Sequence, residues 1–170
     1  MKSTRRIVIL GFMGCGKTTV GAALAGELNC KFVDLDSFIL EREGRSPAQM
    51  LQEGAESDFR DVESLLLTEV LKDLETRIIA LGGGTWTTPA NRTLVALYDC
   101  STVWLDAPFE LCWDRITSSS TVRPLAPDRV SAKELYDIRR PIYQLGQLRI
   151  DASEKSPGQI VSEIEAALTG

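Results

Sequence analysis

Residues 11–18 read GFMGCGKT and match the pattern G-x-x-x-x-G-K-[ST], which is typical of a loop that binds nucleotide phosphates. Glycines let the backbone curl so that several N–H groups point inward, and they leave space for a polyanion beside the main chain. Lys17 supplies a full positive charge for the β- and γ-phosphates, and the hydroxyl of Thr18 is suited to ligate Mg²⁺. The pattern predicts a phosphate-binding loop (P-loop) for a nucleoside triphosphate.

A P-loop needs a strand before it and a helix after it, and the sequence predicts both. Residues 6–10 (RIVIL) are a short apolar run that predicts a buried strand. Residues 19–28 predict a helix with Val20, Leu24 and Leu28 on one face. The N-terminus of that helix favours an anion, because its N–H groups are free and its dipole end is positive. The alternative, a chance glycine turn before a helix, does not account for this order of elements.

Two carboxylates follow the next predicted strand, which covers residues 31–34. Because open α/β sheets bind ligands at the carboxyl ends of their strands, Asp34 and Asp36 are expected beside the P-loop. They are suited to hold Mg²⁺ through water or to orient a hydroxyl nucleophile. The alternative is that Asp36 only caps a helix predicted over residues 37–44.

A cation and a glycine cluster are the next candidates for a binding site. Arg60 lies in the first turn of the longest predicted helix, where a cation opposes the helix dipole and needs an anionic partner. That partner is a substrate or, in the alternative, Glu56 or Asp61 on an exposed surface. A third strand, predicted over 77–81, runs into glycines 82–84, which suit a ligand packed on backbone or, alternatively, a flexible turn.

The remaining chain continues to alternate between helices and strands. The long helix is predicted from Glu56 to about Leu74. Its core-facing residues are expected to be Phe59, Val62, Leu66, Val70 and Leu74. A short helix is predicted from Ser46-Pro47 to residue 53, and later helices over 88–97, 108–116, 131–145 and from Pro157, with strands over 102–106 and 149–151. Five parallel strands with helices on both faces are the expected α/β architecture.

Residues 117–130 (TSSSTVRPLAPDRV) are small, polar and proline-rich, unlike the segments on either side. This composition predicts a mobile lid that closes over the nucleotide, excludes water and brings Arg123 to the transferring phosphoryl group. An ordinary surface loop is the alternative.

The bulk properties limit the classes of function. A chain of 170 residues is expected to form one domain over 1–170, and its net charge of −5 predicts no general affinity for nucleic acid or anionic membranes. No transmembrane run or signal peptide is evident, so we expect a cytoplasmic protein, with a monomer as the default. The absence of histidine excludes a histidine base, so the proton acceptor is expected to be a carboxylate or a less usual group. The four cysteines lack C-x-x-C pairing and predict neither zinc nor disulfides, and Cys15 is interpreted as a small tolerated residue.

The chain resembles the shikimate kinases, small P-loop kinases of the nucleoside-monophosphate kinase fold. The motifs that carry the resemblance cover almost the whole chain in one order. They are the P-loop at 11–18, D-x-D at 34–36, E-x-x-F-R-x-x-E at 56–63, three glycines at 82–84, R-P-L at 123–125 and R-x-P-x-Y at 139–143. The resemblance implies a three-layer fold with a central five-stranded parallel sheet, helices on both faces and a mobile lid.

It also implies a reaction, in which the γ-phosphoryl group of ATP passes to the 3-hydroxyl of shikimate, in aromatic amino acid biosynthesis. Mg²⁺ is the implied metal, ligated by Thr18 and supported through water by Asp34. Lys17, Asp36 and Arg123 are the implied catalytic residues, with Asp36 orienting or deprotonating the hydroxyl. The implied ATP contacts are Gly11, Gly14, Cys15, Gly16, Lys17, Thr18, Thr19, Arg115, Arg123 and Pro157. The implied shikimate contacts are Asp36, Arg60, Gly82, Gly83, Gly84 and Arg139, with both arginines on the carboxylate.

Three positions depart from the family pattern. Ala55 stands where the family often has glycine, an aromatic residue common near Leu51 is missing, and Ala126 replaces a frequent leucine in the lid. These departures affect substrate packing and leave the phosphate-binding residues unchanged. The alternative acceptors are aminoshikimate or another small polyol acid. A nucleoside monophosphate would need a pocket that recognises its base, and no motif for such a pocket is evident. A non-catalytic nucleotide-binding switch is a further alternative, although the N-K-x-D motif of GTPases is absent.

Overall fold

The computed structural model describes residues 5–169. All its strand pairs are parallel, and they form one five-stranded sheet in the order β2-β3-β1-β4-β5. The strands are β1 (Ile7–Leu10), β2 (Lys31–Asp34), β3 (Thr76–Ala80), β4 (Ser101–Asp106) and β5 (Leu148–Asp151). Every residue of β1 and β4 is buried, as expected for central strands covered on both faces.

Helices surround this sheet, which confirms the predicted α/β fold. They are α1 (Lys17–Leu28), α2 (Leu35–Glu43), α3 (Pro47–Glu53), α4 (Glu56–Lys72), α5 (Pro89–Leu97), α6 (Phe109–Ser118), α7 (Arg129–Tyr143) and α8 (Pro157–Thr169). A 3₁₀ turn at Thr85–Thr87 precedes α5. Helix α1 packs on α8, and α4 packs on α2, α3 and α5. The strand register pairs Val8 of β1 with Ile79 of β3 and with Thr102 of β4.

Three of the segments that carry predicted site residues follow strands at the same edge of the sheet. The P-loop follows β1, Asp36 lies in the first turn after β2, and glycines 82–84 follow β3. These strands are neighbours in the order β2-β3-β1, so the topology brings the three segments together.

Local capping corrects some predicted helix ends. Helix α2 begins at Leu35 because the Asp34 side chain accepts a hydrogen bond from the backbone N–H of Ser37. The alternative interpretation of Asp36 as only a helix cap was therefore wrong. Helix α4 ends at Lys72, and Leu74 beyond it is 85% exposed, so its predicted place on the buried face was also wrong.

The predicted lid is shorter than its composition indicated. Helix α6 continues to Ser118, and α7 begins at Arg129 after a cap in which Asp128 accepts from the N–H of Ser131. The connecting segment is therefore 119–128 rather than 117–130. Its mobility remains a prediction, as does the extent of a single domain over 1–170, whose ends at 1–4 and 170 lie outside the described residues.

Candidate active site

The P-loop between β1 and α1 is held in a conformation that only glycine adopts readily. Gly14 has a φ of +78°, and a Cβ atom there would lie 2.7 Å from the carbonyl oxygen of Cys112. Lys17 is buried, and its Nζ donates to the carbonyl oxygens of Gly11 at 2.8 Å and Phe12 at 3.1 Å. The loop thus places an ammonium group beside a helix N-terminus, an arrangement suited to bind phosphate.

A pair of oxygen ligands lies at the start of α1. The Thr18 hydroxyl donates to Oδ2 of Asp34 at 2.5 Å, while Oδ1 of Asp34 caps α2. Among residues 5–169 no group of three or more acidic, cysteine or histidine side chains forms a metal cluster. Mg²⁺ in phosphate-transferring enzymes commonly has one or two protein ligands, with phosphate oxygens and water in the rest of its shell, and Thr18 and Asp34 could supply such ligands.

A cavity of about 430 Å³ lies above the P-loop. All the predicted nucleotide contacts except Gly11 line it, namely Gly14, Cys15, Gly16, Lys17, Thr18, Thr19, Arg115, Arg123 and Pro157. The lining also includes Asp34, predicted for the metal, and Asp36 and Gly83, predicted for the acceptor. The guanidinium of Arg115 donates to the carbonyl oxygen of Gly14 at 3.1 Å. Lys155 also lines this cavity and pairs with Glu163 at 2.8 Å, a contact that the sequence analysis did not predict.

A second cavity of about 360 Å³ adjoins the first. Met13, Asp36, Gly83 and Arg123 line both cavities, so a ligand in one would meet a ligand in the other at these residues. The second cavity has a polar side, lined by Asp36, Arg60, Glu63, Arg139 and glycines 82–84. It also has an apolar side that includes Leu40, Leu51, Phe59 and Val122. Asp36 and Arg123 therefore lie where the two cavities meet.

The polar side of the second cavity contains two arginines in unlike environments. Arg60 pairs with Glu63 at 2.7 Å and with Glu56 at 3.3 Å. Of the two alternative partners that the sequence offered, Glu56 is therefore confirmed, whereas Asp61 forms no ion pair with Arg60 within the described residues. Burial lowers the pKa of Arg60, but the carboxylates of Glu63 and Glu56 outweigh this effect and the net shift is upward.

Arg139, by contrast, is only 5% exposed and has no carboxylate within ion-pair distance among residues 5–169. Its pKa is lowered by burial and further by the charge of Arg60, while Tyr143 and the more distant charge of Glu56 act in the opposite direction. A buried guanidinium without a counterion is costly, and an anionic ligand would relieve that cost. The arrangement therefore favours an anion between Arg60 and Arg139.

Glycines 82–84 are needed here for close packing. A Cβ atom on Gly84 would lie 2.3 Å from Nη2 of Arg60 and 2.8 Å from Nη2 of Arg139, and one on Gly82 would lie 2.7 Å from Oδ1 of Asp36. None of these three described glycines has a positive φ. The side chains of the predicted acceptor site therefore pack directly on the glycine backbone. Tyr143 fixes the turn from α7, because its hydroxyl donates to the carbonyl oxygen of Gly83.

Asp36 is the carboxylate that lies between the two cavities. Burial, with the negative charges of Asp34 and Glu63, raises the pKa of Asp36 to about 6, and the charges of Lys17 and Arg123 act in the opposite direction. Such a carboxylate is ionised at neutral pH and is a stronger base than an ordinary aspartate. Arg123 faces it, and the buried Nε of Arg123 has no hydrogen-bond partner within the described residues.

Comparison with known proteins identifies relatives over nearly the full chain. A family model described as shikimate kinase matches residues 13–169. A shikimate kinase of Sulfurihydrogenibium sp. (strain YO3AOP1) is 37% identical over 161 residues, covering 94% of this chain and 95% of that protein. A shikimate kinase of Lactococcus lactis subsp. lactis (strain IL1403) is 39% identical over 161 residues, covering 93% and 94%.

Solved structures show the same architecture. The shikimate kinase from Acinetobacter baumannii in complex with shikimate has a TM-score of 0.90 at 28% identity, covering 99% of this chain and 94% of that one. The shikimate kinase from Bacteroides thetaiotaomicron has a TM-score of 0.86 at 28% identity, covering 98% and 99%. A gluconokinase from Sinorhizobium meliloti 1021, with a TM-score of 0.65 at 17% identity, covering 99% and 94%, shares the fold alone.

Proposed function

Because the chain belongs to the shikimate kinase family, we propose that it transfers the γ-phosphoryl group of ATP to the 3-hydroxyl of shikimate, giving shikimate 3-phosphate and ADP. That the protein is an enzyme which phosphorylates shikimate with ATP follows from its family. The hydroxyl that is phosphorylated and the role of each residue are the proposal. Its main support is Arg139, a buried guanidinium without a carboxylate partner among the described residues, in a cavity that adjoins the P-loop cavity.

The acceptor carboxylate binds between Arg60 and Arg139 in this proposal. Glu63 and Glu56 both pair with Arg60, so Arg139 is the guanidinium that has no ion pair among the described residues and is available to the acceptor carboxylate. Guanidinium groups bind carboxylates through paired N–H donors, which gives both strength and orientation. Glycines 82–84 lie against the acceptor ring, and the apolar wall at Leu51 and Phe59 covers its opposite face.

Asp36 then orients the 3-hydroxyl and accepts its proton as the oxygen attacks the γ-phosphorus. Its position between the cavities and its raised pKa both suit this role. Phosphoryl transfer needs positioning and charge stabilisation more than covalent help. Lys17 and Arg123 supply the positive charge, and the N–H groups of the P-loop bind the phosphate oxygens.

A divalent metal ion belongs to this chemistry, and we propose Mg²⁺. The adjacent oxygens of Thr18 and Asp34 fit it, with Thr18 as a direct ligand and Asp34 acting through water. When bound, the ion neutralises charge on the phosphate oxygens. Arg115 and Pro157, which line the nucleotide cavity together with Lys155, are proposed to flank the adenine.

The protein's state in solution is a smaller part of the proposal. None of the helices among residues 5–169 has the length and apolar composition needed to cross a membrane. We propose a monomer that acts on small molecules, consistent with the net charge of −5. Light scattering coupled to size exclusion measures this directly, and a dimer mass would contradict it. The cytoplasmic location remains a prediction from the sequence.

The test of the proposed function is a coupled ADP-release assay with ATP and Mg²⁺. Shikimate is compared with aminoshikimate, quinate, gluconate and the nucleoside monophosphates, and the product is identified by phosphorus NMR. We expect turnover with shikimate and a phosphate ester at its 3-position. Faster turnover with another acceptor would overturn the proposed substrate. ATP binding without turnover of any acceptor would support the non-catalytic alternative.

A further inference from the structure

Glu63 pairs with Arg60, one of the two arginines proposed to bind the acceptor carboxylate, and is almost completely buried. It is 1% exposed, and each of its carboxylate oxygens accepts one hydrogen bond. Nη1 of Arg60 donates to Oε1 at 2.7 Å, and the hydroxyl of Thr85 donates to Oε2 at 2.8 Å. The Thr85 hydroxyl is therefore the donor that holds the side of Glu63 facing away from Arg60.

Thr85 is itself fixed within the 3₁₀ turn after the glycines. It is 0% exposed, and its N–H donates to the carbonyl oxygen of Gly82 at 3.2 Å. Nδ2 of Asn91, a buried residue of α5, donates to the carbonyl oxygen of Thr85 at 3.0 Å. Thr85 lines neither cavity, so it has no direct contact with a bound substrate.

We propose that Thr85 is a positioning residue for the acceptor site, whose hydroxyl holds Glu63, and through it Arg60, in the orientation that binds the acceptor carboxylate. The inference rests on the proposed function, because it requires Arg60 to bind that carboxylate. It adds a residue from a different segment, 22 positions from Glu63 in sequence, to the set that determines acceptor affinity.

The physical basis is the cost of an unsatisfied buried carboxylate oxygen. Without the hydroxyl, Oε2 of Glu63 would lose its donor in a site from which water is largely excluded. The carboxylate would then rotate or draw on other donors, and the guanidinium of Arg60 would follow it. Because Thr85 does not line the nucleotide cavity, we expect nucleotide binding to be unaffected.

The experiment compares Thr85→Val, which removes the hydroxyl at similar volume, with Thr85→Ser, which keeps it. Thr76→Val is the matched control. Thr76 is equally buried and donates to a carboxylate of Asp73 at 2.7 Å, but it lies at the opposite end of β3. We expect Thr85→Val to raise the KM for shikimate about 5- to 10-fold and to leave the KM for ATP within about twofold. Thr85→Ser should keep the natural affinity for shikimate, and Thr76→Val should leave both KM values unchanged.

A merely structural role would give a different result. Thr85→Val would then lower thermal stability as Thr76→Val does, with no selective rise in the KM for shikimate, and the inference would be wrong. If Thr85→Val fails to fold, Thr85→Ala removes the same hydroxyl without adding a methyl group. The route through Glu63 is tested in the Glu63→Gln background. In that background Thr85→Val should reduce the affinity for shikimate only slightly further. If the losses of affinity from the two substitutions were fully additive, the route through Glu63 would be contradicted.

The Arg60→Lys variant distinguishes failure of the proposed role of Thr85 from failure of the proposed function. A raised KM for shikimate in Arg60→Lys, with none in Thr85→Val, would overturn the role of Thr85 and leave the acceptor site standing. An unchanged KM in Arg60→Lys would overturn both, because Arg60 would then have no carboxylate to bind.

Discussion

Arg60 and Arg139 converge on the same backbone position, Gly84, but only Arg60 has carboxylate partners among the described residues. Nη2 of each guanidinium lies within 3 Å of the point where a Cβ on Gly84 would stand, at 2.3 Å for Arg60 and 2.8 Å for Arg139. Two buried like charges this close repel each other, and the lowered pKa of Arg139 reflects burial and this repulsion. A single carboxylate bound between the two guanidiniums would attract both of them and offset their mutual repulsion.

Arg139→Lys should therefore raise the KM for shikimate by on the order of 100-fold, because an ammonium group cannot reproduce the paired N–H donors of a guanidinium. The KM for ATP should change less than about twofold. Arg140→Lys is the matched control, since Arg140 is adjacent in sequence but pairs with Asp106 and lines neither cavity. Steady-state kinetics with each substrate varied in turn gives both constants. An equal loss of affinity for both substrates would indicate a folding defect and contradict the proposed role.

Gly84→Ala should impair binding at the acceptor site through steric overlap. The added methyl group would overlap both guanidiniums, so the arginines must move or the turn must shift. We expect a rise of at least tenfold in the KM for shikimate. Gly26→Ala is the control, because nothing lies within 4 Å of its Cβ position in α1, and we expect a slightly more stable enzyme with unchanged kinetics. Normal shikimate affinity in Gly84→Ala would show that the glycine is dispensable.

The sequence predicts the parts of this site that depend on local pattern. The P-loop, the strands that precede it and follow it, and the glycines at 82–84 each carry a signal within a few residues, and the structure places all of them at one sheet edge. Helix ends were less predictable, because Asp34 and Asp36 are both good caps and the choice between them depends on backbone geometry.

Residues whose role depends on a distant partner were not predicted. Glu63 falls within a recognised motif, yet its burial and its bond to Thr85 arise only when α4 packs beside the 3₁₀ turn. The one local signal was its position three residues after Arg60, the spacing of an ion pair on a helix. Lys155 is similar, because its pairing with Glu163 becomes visible only when α8 packs beside the nucleotide cavity.

The rate of phosphoryl transfer should fall in acid with the titration of Asp36. Because its pKa is raised to about 6, kcat/KM for shikimate should decrease about tenfold per pH unit below that value. Asp34 contributes to the raised pKa, so Asp34→Asn should move this acid limb to lower pH, while asparagine still caps α2. A pH–rate profile of both proteins at saturating ATP tests this. An acid limb that stays in place in Asp34→Asn would contradict the coupling of the two carboxylates.

Removal of the Asp34 carboxylate should also weaken the metal site. Asp34→Asn removes the negative charge beside the Thr18 hydroxyl, so we expect a roughly tenfold higher Mg²⁺ concentration for half-maximal activity. The measurement titrates Mg²⁺ at fixed ATP well above neutral pH, where Asp36 is ionised in both proteins. Asp58→Asn, an exposed change in the first turn of α4, serves as the charge-matched control. An unchanged Mg²⁺ requirement in Asp34→Asn would remove Asp34 from the metal site.

Asp36 should reduce the stability of the unliganded protein, in a pH-dependent way. Its folded pKa of about 6 is above the ordinary 3.8, so the folded state binds the proton more tightly than the unfolded state does. Ionisation of Asp36 therefore lowers the free energy of unfolding. This loss of stability is absent below about pH 4, grows as the pH rises towards 6 and is complete above it. At pH 7.5 we expect Asp36→Asn to be more stable than the natural protein by about 1–3 kcal/mol, while kcat falls at least 100-fold. Urea unfolding at pH 7.5 and pH 4 measures the difference, which should nearly vanish at the lower pH. Equal stability of the two proteins at pH 7.5 would show that the folded structure tolerates the Asp36 charge without cost, and the raised pKa would then be wrong.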